Sequence, residues 1–143
     1  GTHDPFYINK MIKLLVSKKI DLVSTNRFLN KNSLDDWSLW RKKLTTLRHY
    51  VIKLLLNIEF DSSGAFRCYD IKKIKLKDIL IAENESYSFF WESIFILSKK
   101  YEIREIPIKL PGRLSGSSKM RFIDIFSAVI YLLKIFFKKR LFI

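Results

Sequence analysis

Residues 101–120 read YEIREIPIKLPGRLSGSSKM. The first ten alternate: Ile103, Glu105, Pro107 and Lys109 interleave with Arg104, Ile106, Ile108 and Leu110. Alternation of this kind is a strand pattern, and Pro107, which has no N–H to donate, implies an edge or irregular position. The next ten form a basic loop. Gly112 and Gly116 accompany the hydroxyls of Ser115, Ser117 and Ser118 and the fixed charges of Arg113 and Lys119. Amides, hydroxyls and cations on one loop suit a phosphate, because all three converge on an anion. The plainer reading of the same residues is a flexible basic loop.

Downstream, residues 122–137 are strongly apolar, yet Asp124, Ser127, Tyr131, Lys134 and Lys138 recur at helical spacing and leave one narrow polar stripe. A membrane span needs about 20 predominantly apolar residues, and Asp124 and Lys134 cut this run short. An amphipathic helix ending in Lys138-Lys139-Arg140 fits a position in a membrane interface. The alternative is a core helix packed on the domain.

Upstream, Phe89 to Leu97 reads as a helix interrupted by Glu92, a carboxylate that is costly to bury unless paired. It either turns to a cleft or bonds a neighbour. Residues 70–81 read as a helix and turn. In residues 60–69, FDSSGAFRCY, the small residues favour a tight bend and residues 66–69 a short strand. Asp61 is structural if it bonds nearby amides or Arg67, and a candidate ligand or base if free.

The clearest element lies before it. Trp37, Trp40, Leu44, Leu47, Val51, Leu54 and Ile58 follow a 3-4 spacing and build one apolar stripe on a helix. Arg41, Thr45 and Arg48 fall on another side, which reads most simply as solvated. Residues 30–36 are a polar loop, and residues 20–28 a strand with Arg27 near its end. Asp4-Pro5 opens a first helix, as an N-cap carboxylate followed by proline at the first helical position, and that helix ends near residues 18–19.

Lys and Arg outnumber Asp and Glu by 27 to 14 in 143 residues, a net charge of +13. That favours an anionic partner: nucleic acid, an acidic membrane surface or a phosphorylated substrate. Hydrophobic residues make up 48% of the chain, enough for one domain with a real core. A single cysteine, Cys68, and two histidines exclude an internal disulfide and a Cys/His zinc site, and a reducing compartment is the default. No repeat or low-complexity linker divides the chain. Its abrupt opening at GTHDP reads as the middle of something longer.

Several segments, in order, resemble the polyprenol (dolichol) phosphate mannosyltransferases and related family 2 glycosyltransferases. GTHDP resembles the segment after that family's Asp-x-Asp metal motif. Ser24-Thr25-Asn26-Arg27-Phe28 resembles its Gly-Ser-Arg-Tyr, and Trp37-Ser38-Leu39-Trp40-Arg41 the start of its long helix, with Thr45 at the place of a hydroxyl residue. DSSGAFRCY at 61–69 resembles Asp-x-Thr-Gly-Ser-Phe-Arg-x-Tyr, and residues 87–92 resemble Tyr-x-Phe-x-x-Glu. Ile106-Pro107-Ile108, Arg113 and Gly116-Ser117-Ser118-Lys119 resemble Val-Pro-Ile, Asp-Arg and Gly-x-Ser-Lys.

The resemblance implies an α/β fold, the C-terminal part of a GT-A (Rossmann-like) domain, with residues 1–120 forming its acceptor side and 121–143 an amphipathic membrane-interface helix. It implies transfer of a hexose, most often mannose from GDP-mannose, to polyprenyl or dolichyl phosphate at the cytoplasmic face of a membrane, with a divalent metal, Mg or Mn, in the complete enzyme. It gives Arg27, Arg41, Thr45 and Arg113 to the acceptor phosphate, Ser118 and Lys119 to a donor loop, and Arg113, Asp61 and Glu92 to the reacting centre.

There are departures. The Asp-x-Asp pair and the nucleotide-binding half are not among these residues, Gly112 stands in place of an aspartate, and residues 47–50 lack the family's small-residue pattern. The 143 residues alone are therefore expected to be catalytically silent. A UDP-glucose-type donor on the same fold is one rival reading. A non-enzymatic basic module binding membrane or nucleic acid is another. Nucleic acid is disfavoured because the aromatics are expected at core-facing helical positions, unlike the exposed stacking platforms of single-strand binders.

Overall fold

The computed structural model describes residues 3–17, 19–112 and 122–141. Among them, five helices and three strands run in the order α1 (Phe6–Ser17), β1 (Leu22–Asn26), α2 (Leu39–Leu56), β2 (Arg67–Tyr69), α3 (Leu76–Ile79), α4 (Phe89–Leu97), β3 (Ile103–Pro107) and α5 (Phe122–Leu141). The fold is mixed α/β, as expected.

The sheet has the order β2-β1-β3. β1 pairs antiparallel with β2, through Leu22–Tyr69, Val23–Cys68 and Ser24–Arg67. It pairs parallel with β3, from Leu22–Ile103 to Asn26–Pro107. A parallel pair needs a crossover, and helical segments supply it. Pro107 ends β3 on the sheet's outer side, where its missing N–H breaks no ladder. The alternation extends past the strand: Ile108 N–H donates to Asn26 O at 3.2 Å, so residues 101–110 shorten to a five-residue strand plus an irregular tail.

Alternate side chains of β1 and β3 feed two cores. Leu22 and Ile103 pack with Ile52 and Leu56 of α2, Trp91, Ile94 and Phe95 of α4, and Leu132 of α5. Val23 and Ile106 pack with Met11 of α1 and Ile20. All five residues of β1 are buried, which is what helices on both faces of a strand require. Asp4 Oδ1 accepts the Phe6 N–H at 2.8 Å, so the first helix starts as expected. The helix foreseen over 70–81 is a turn at 71–74 followed by the single turn of α3.

One helix overturns the expected inside and outside. On α2 the buried residues are His49, Ile52 and Leu56. Arg41, Thr45 and Arg48, read as a solvated side, are half-buried toward the body. Most of the apolar stripe instead faces outward: Trp40 is 76% exposed and Leu54 81%, with Leu44, Leu47 and Val51 between them also exposed, while Ile58 at its end is buried in the core. Trp40 is therefore not at a core-facing position, contrary to the expectation for the aromatics. On α5 the polar stripe is half-buried at Asp124 and Tyr131 and exposed at Ser127, Lys134 and Lys138. Tyr131 O–H donates to Glu92 Oε1 at 2.7 Å, and Lys134 and Lys138 reach Glu83 at 3.9 and 3.7 Å. Ile123, Phe126, Ile130, Leu133 and Phe137 are left exposed.

Candidate anion site at the strand ends

β1 and β3 run parallel, so their carboxyl ends lie at one edge of the sheet, the edge where open α/β folds bind ligands. Arg27 follows β1 directly. Its backbone N–H and Nε–H both donate to Asp61 Oδ2, at 3.2 and 2.8 Å. The other oxygen, Oδ1, accepts from Ser63 N–H and Oγ at 3.2 and 3.0 Å. Asp61 is fully buried. Of the two roles open to it from sequence, it takes the structural one, with Arg27 as partner instead of Arg67.

The turn bearing Asp61 is held against β1 by a close approach. A Cβ on Gly64 would stand 3.0 Å from the Thr25 carbonyl oxygen, tighter than side chains ordinarily allow. Glu105, which sequence reasoning did not single out, ties the pieces together. Its Oε2 accepts from Asn26 Nδ2 and its Oε1 from the Asp61 N–H, each at 2.7 Å. Burial raises the Glu105 carboxyl to about 6, against the opposing pull of the hydrogen bonds from Asn26 and the Asp61 amide. Its polar position in an alternating strand was the one available signal, and alternation alone does not say that the neighbouring strand ends in Asn26.

Arg67 anchors the same region from β2. It donates to Ser93 Oγ at 2.9 Å and Ser62 O at 3.3 Å, and to Phe90 O. From α2, the His49 ring stacks on Phe28 with centroids 4.0 Å apart. Burial lowers the His49 pKa below its ordinary value, against the raising effect of Asp61, so the ring is neutral near neutral pH. Burial and then the neighbouring Arg27 also lower the Arg48 guanidinium, with Asp61 opposing.

A cavity of about 240 Å³ opens beside Arg27, lined also by Lys31, Leu34, Asp35, Lys42 and Thr46. Lys31, Lys42 and Thr46 were not foreseen. Arg41 and Thr45 sit one position back along α2 and are not among its lining residues; Arg41 lies 3.5 Å over the Trp37 ring. A larger cleft of about 710 Å³ carries Glu83, Glu85 and Asp124 with Tyr87, Phe89 and Phe90. Its acidic rim has the wrong sign for a phosphate, so the basic cavity is the candidate.

Glu92 is 3% exposed and bonds neighbours: it accepts from the amides of Glu83 and Asn84, at 3.2 and 3.1 Å, and from Tyr131. Arg113, Ser118 and Lys119 lie outside the described residues. The chain leading to them does not. Ser33 Oγ donates to Ile108 O, and Leu110 N–H donates to Ser33 O at 2.9 Å, which fastens residues 108–110 to the loop that lines the basic cavity. A Cβ on Gly112 would stand 2.9 Å from the Asp36 carbonyl oxygen, a physical reason for glycine where the resembling family has aspartate.

Among the described residues no three His, Cys, Asp or Glu side chains come together to hold a metal ion. Asp61 and Glu105 are committed to hydrogen bonds, so the described residues do not fit a divalent metal. Also among them, no helix is long and apolar enough to cross a membrane. No protein-family model and no solved structure matches this chain.

Proposed function

We propose that this chain is the acceptor-side part of a GT-A glycosyltransferase that transfers a hexose, mannose from GDP-mannose foremost, to a polyprenyl or dolichyl phosphate at the cytoplasmic face of a membrane. One observation carries the reading: α2 has an exposed apolar side, while its half-buried side bears Arg41, Thr45 and Arg48, the last of which feels the charges of Arg27 and Asp61. A lipid phosphate asks for both at once, an apolar surface for the chain and cations for the head. α5 also leaves apolar residues exposed, and Lys43 beside Trp40 supplies charge at the edge of the α2 stripe for anionic lipid.

In this reading an oxygen of the acceptor phosphate attacks the anomeric carbon of the sugar. The bond from that carbon to the nucleotide diphosphate breaks, and the diphosphate leaves with the electron pair. A phosphate dianion is already nucleophilic and requires no strong base. The residues here hold and orient it, Arg27 foremost, with Asp61 and Glu105 fixing Arg27. In this reading the nucleotide and the metal would be held by a nucleotide-binding half outside these residues.

The test is flotation of the chain with phosphatidylcholine vesicles carrying either polyprenyl phosphate or the uncharged polyprenol. Selective capture by the phosphate is expected, and hexose transfer is expected from a longer chain bearing an Asp-x-Asp strand before Gly1. Equal capture by both vesicles, or preference for single-stranded nucleic acid, would refute the reading.

A further inference from the structure

We infer that Arg48 is a second anion-holding guanidinium of the Arg27 site, set to take a phosphate monoester jointly with Arg27. The inference deepens the proposed function and rests on a phosphate binding beside Arg27.

Three observations carry it. The first is position. The Phe28–His49 stack, at 4.0 Å between centroids, brings the chain just after Arg27 against the turn of α2 that bears Arg48. Arg48 belongs to the inward side of that helix, with Thr45, His49 and Ile52. The second is an unmet valence. Arg48 Nε is buried and has no hydrogen-bond partner among the described residues. A buried donor without an acceptor is costly, more so when charged, so it marks a place where an acceptor is wanting.

The third is that the nearby acceptors are spent. Asp61 Oδ2 takes both bonds from Arg27, and Oδ1 takes both from Ser63. Glu105 is occupied by Asn26 and by the Asp61 amide. Three guanidiniums, of Arg27, Arg48 and Arg67, share this region with two carboxylates, and the nearby His49 is neutral. The Nη groups of Arg67 are taken by Ser62, Phe90 and Ser93, although its buried Nε, like that of Arg48, has no partner among the described residues. The surplus charge is that of Arg48, and it feels both Arg27 and Asp61. A tetrahedral dianion has oxygens enough to meet two forks at once, and it relieves the repulsion between them. The ligand chemistry is a phosphate monoester, whether a lipid head or a free ion.

The experiment follows the arginine Nε–H signals of the chain by nitrogen-15 NMR during titration with inorganic phosphate, with chloride as the ionic-strength control. A parallel arm uses vesicles bearing polyprenyl phosphate. The Arg27 and Arg48 signals are expected to move together along one binding curve. Arg48→Lys, which keeps the charge and loses the fork, should weaken binding about tenfold with the fold intact. Movement with vesicles alone still supports the inference and identifies a lipid head as the source. Movement of Arg27 while Arg48 stays fixed in both arms overturns the inference and leaves the phosphate site standing. Neither signal moving in either arm overturns both.

Discussion

Arg27 gives its backbone N–H and its Nε–H to one and the same oxygen of Asp61. The two bonds fix the side chain at both ends of its stem, and the Nη groups take no part in them. With side chains 11% and 1% exposed, the pair is close to fully buried. In such a pair the loss of one partner matters more than the net worth of the bridge, because the other is left charged and unsolvated.

Asp61→Ala should therefore destabilise the chain by about 3–5 kcal/mol. Asp61→Asn should cost less, since an amide oxygen still accepts from Arg27. Urea unfolding measures both, with a shifted midpoint and an unchanged slope expected. A loss below about 1 kcal/mol for the alanine variant, the scale of an exposed pair, would show that the bridge is not buried in solution.

Glu105 gives a pH dependence of opposite sign to the usual salt-bridged carboxylate. Its carboxyl is raised from 4.5 to about 6 by burial, with Asp61 adding to the rise while Asn26, the Asp61 amide and Arg67 oppose it. The folded chain thus holds this proton more tightly than the unfolded chain. The contribution is fully present below about pH 4.5 and is lost as pH rises through about 6. The difference corresponds to about 2 kcal/mol. Glu105→Gln removes it, so the gap in unfolding free energy between the native chain and the variant should change by about 2 kcal/mol from about pH 4.5 to about pH 7. A gap that stays constant over that range would place Glu105 in solvent.

These two residues also show what the sequence could and could not convey. Arg27 and Asp61 were each legible as residues with a job, one through the strand end and the other through the bend in which it stands. Their pairing was not, because it depends on how the turn after α2 folds back over β1. Glu105 was hidden because a polar residue in an alternating strand is expected to face solvent, and only the parallel register with β1 turns it toward Asn26. α1, α2, α4 and α5, the α/β class and the edge position of Pro107 follow from periodicity and from proline's missing donor. Which side of α2 faces inward does not. Periodicity locates an apolar stripe, and the usual inference that it is buried fails here, where most of the stripe is left exposed.

Tyr131 and Glu92 decide how firmly α5 is attached. Burial, then Glu92 itself, push the Tyr131 hydroxyl well above its ordinary value, so it remains a donor at every working pH. Tyr131→Phe removes a hydrogen bond to a charged acceptor, worth about 1.5–3 kcal/mol. Leu132 remains in the core. Amide exchange should therefore accelerate along residues 123–138 while the sheet keeps its protection. Equal acceleration in β1 would mean that α5 and the body unfold as one unit.

The outward side of α2 gives the sharpest separation of stability from function. Leu44 and Leu47 are 60% and 61% exposed, so replacing both with Glu removes little packing. Stability should change by no more than about 0.5 kcal/mol per site. Ile52, one face away and 2% exposed, should cost about 2–5 kcal/mol when cut to Ala. If the stripe lies in a membrane interface, each leucine contributes about 1.5–3 kcal/mol of transfer into the acyl boundary. The double Glu variant should then lose at least a hundredfold in vesicle partitioning while its thermal transition stays put, whereas Ile52→Ala should do the reverse at temperatures where it remains folded. Vesicle flotation and calorimetry on the same samples measure the two quantities. Undiminished flotation of the double Glu variant would mean that α2 does not touch the bilayer, and that its apolar side is covered by something else.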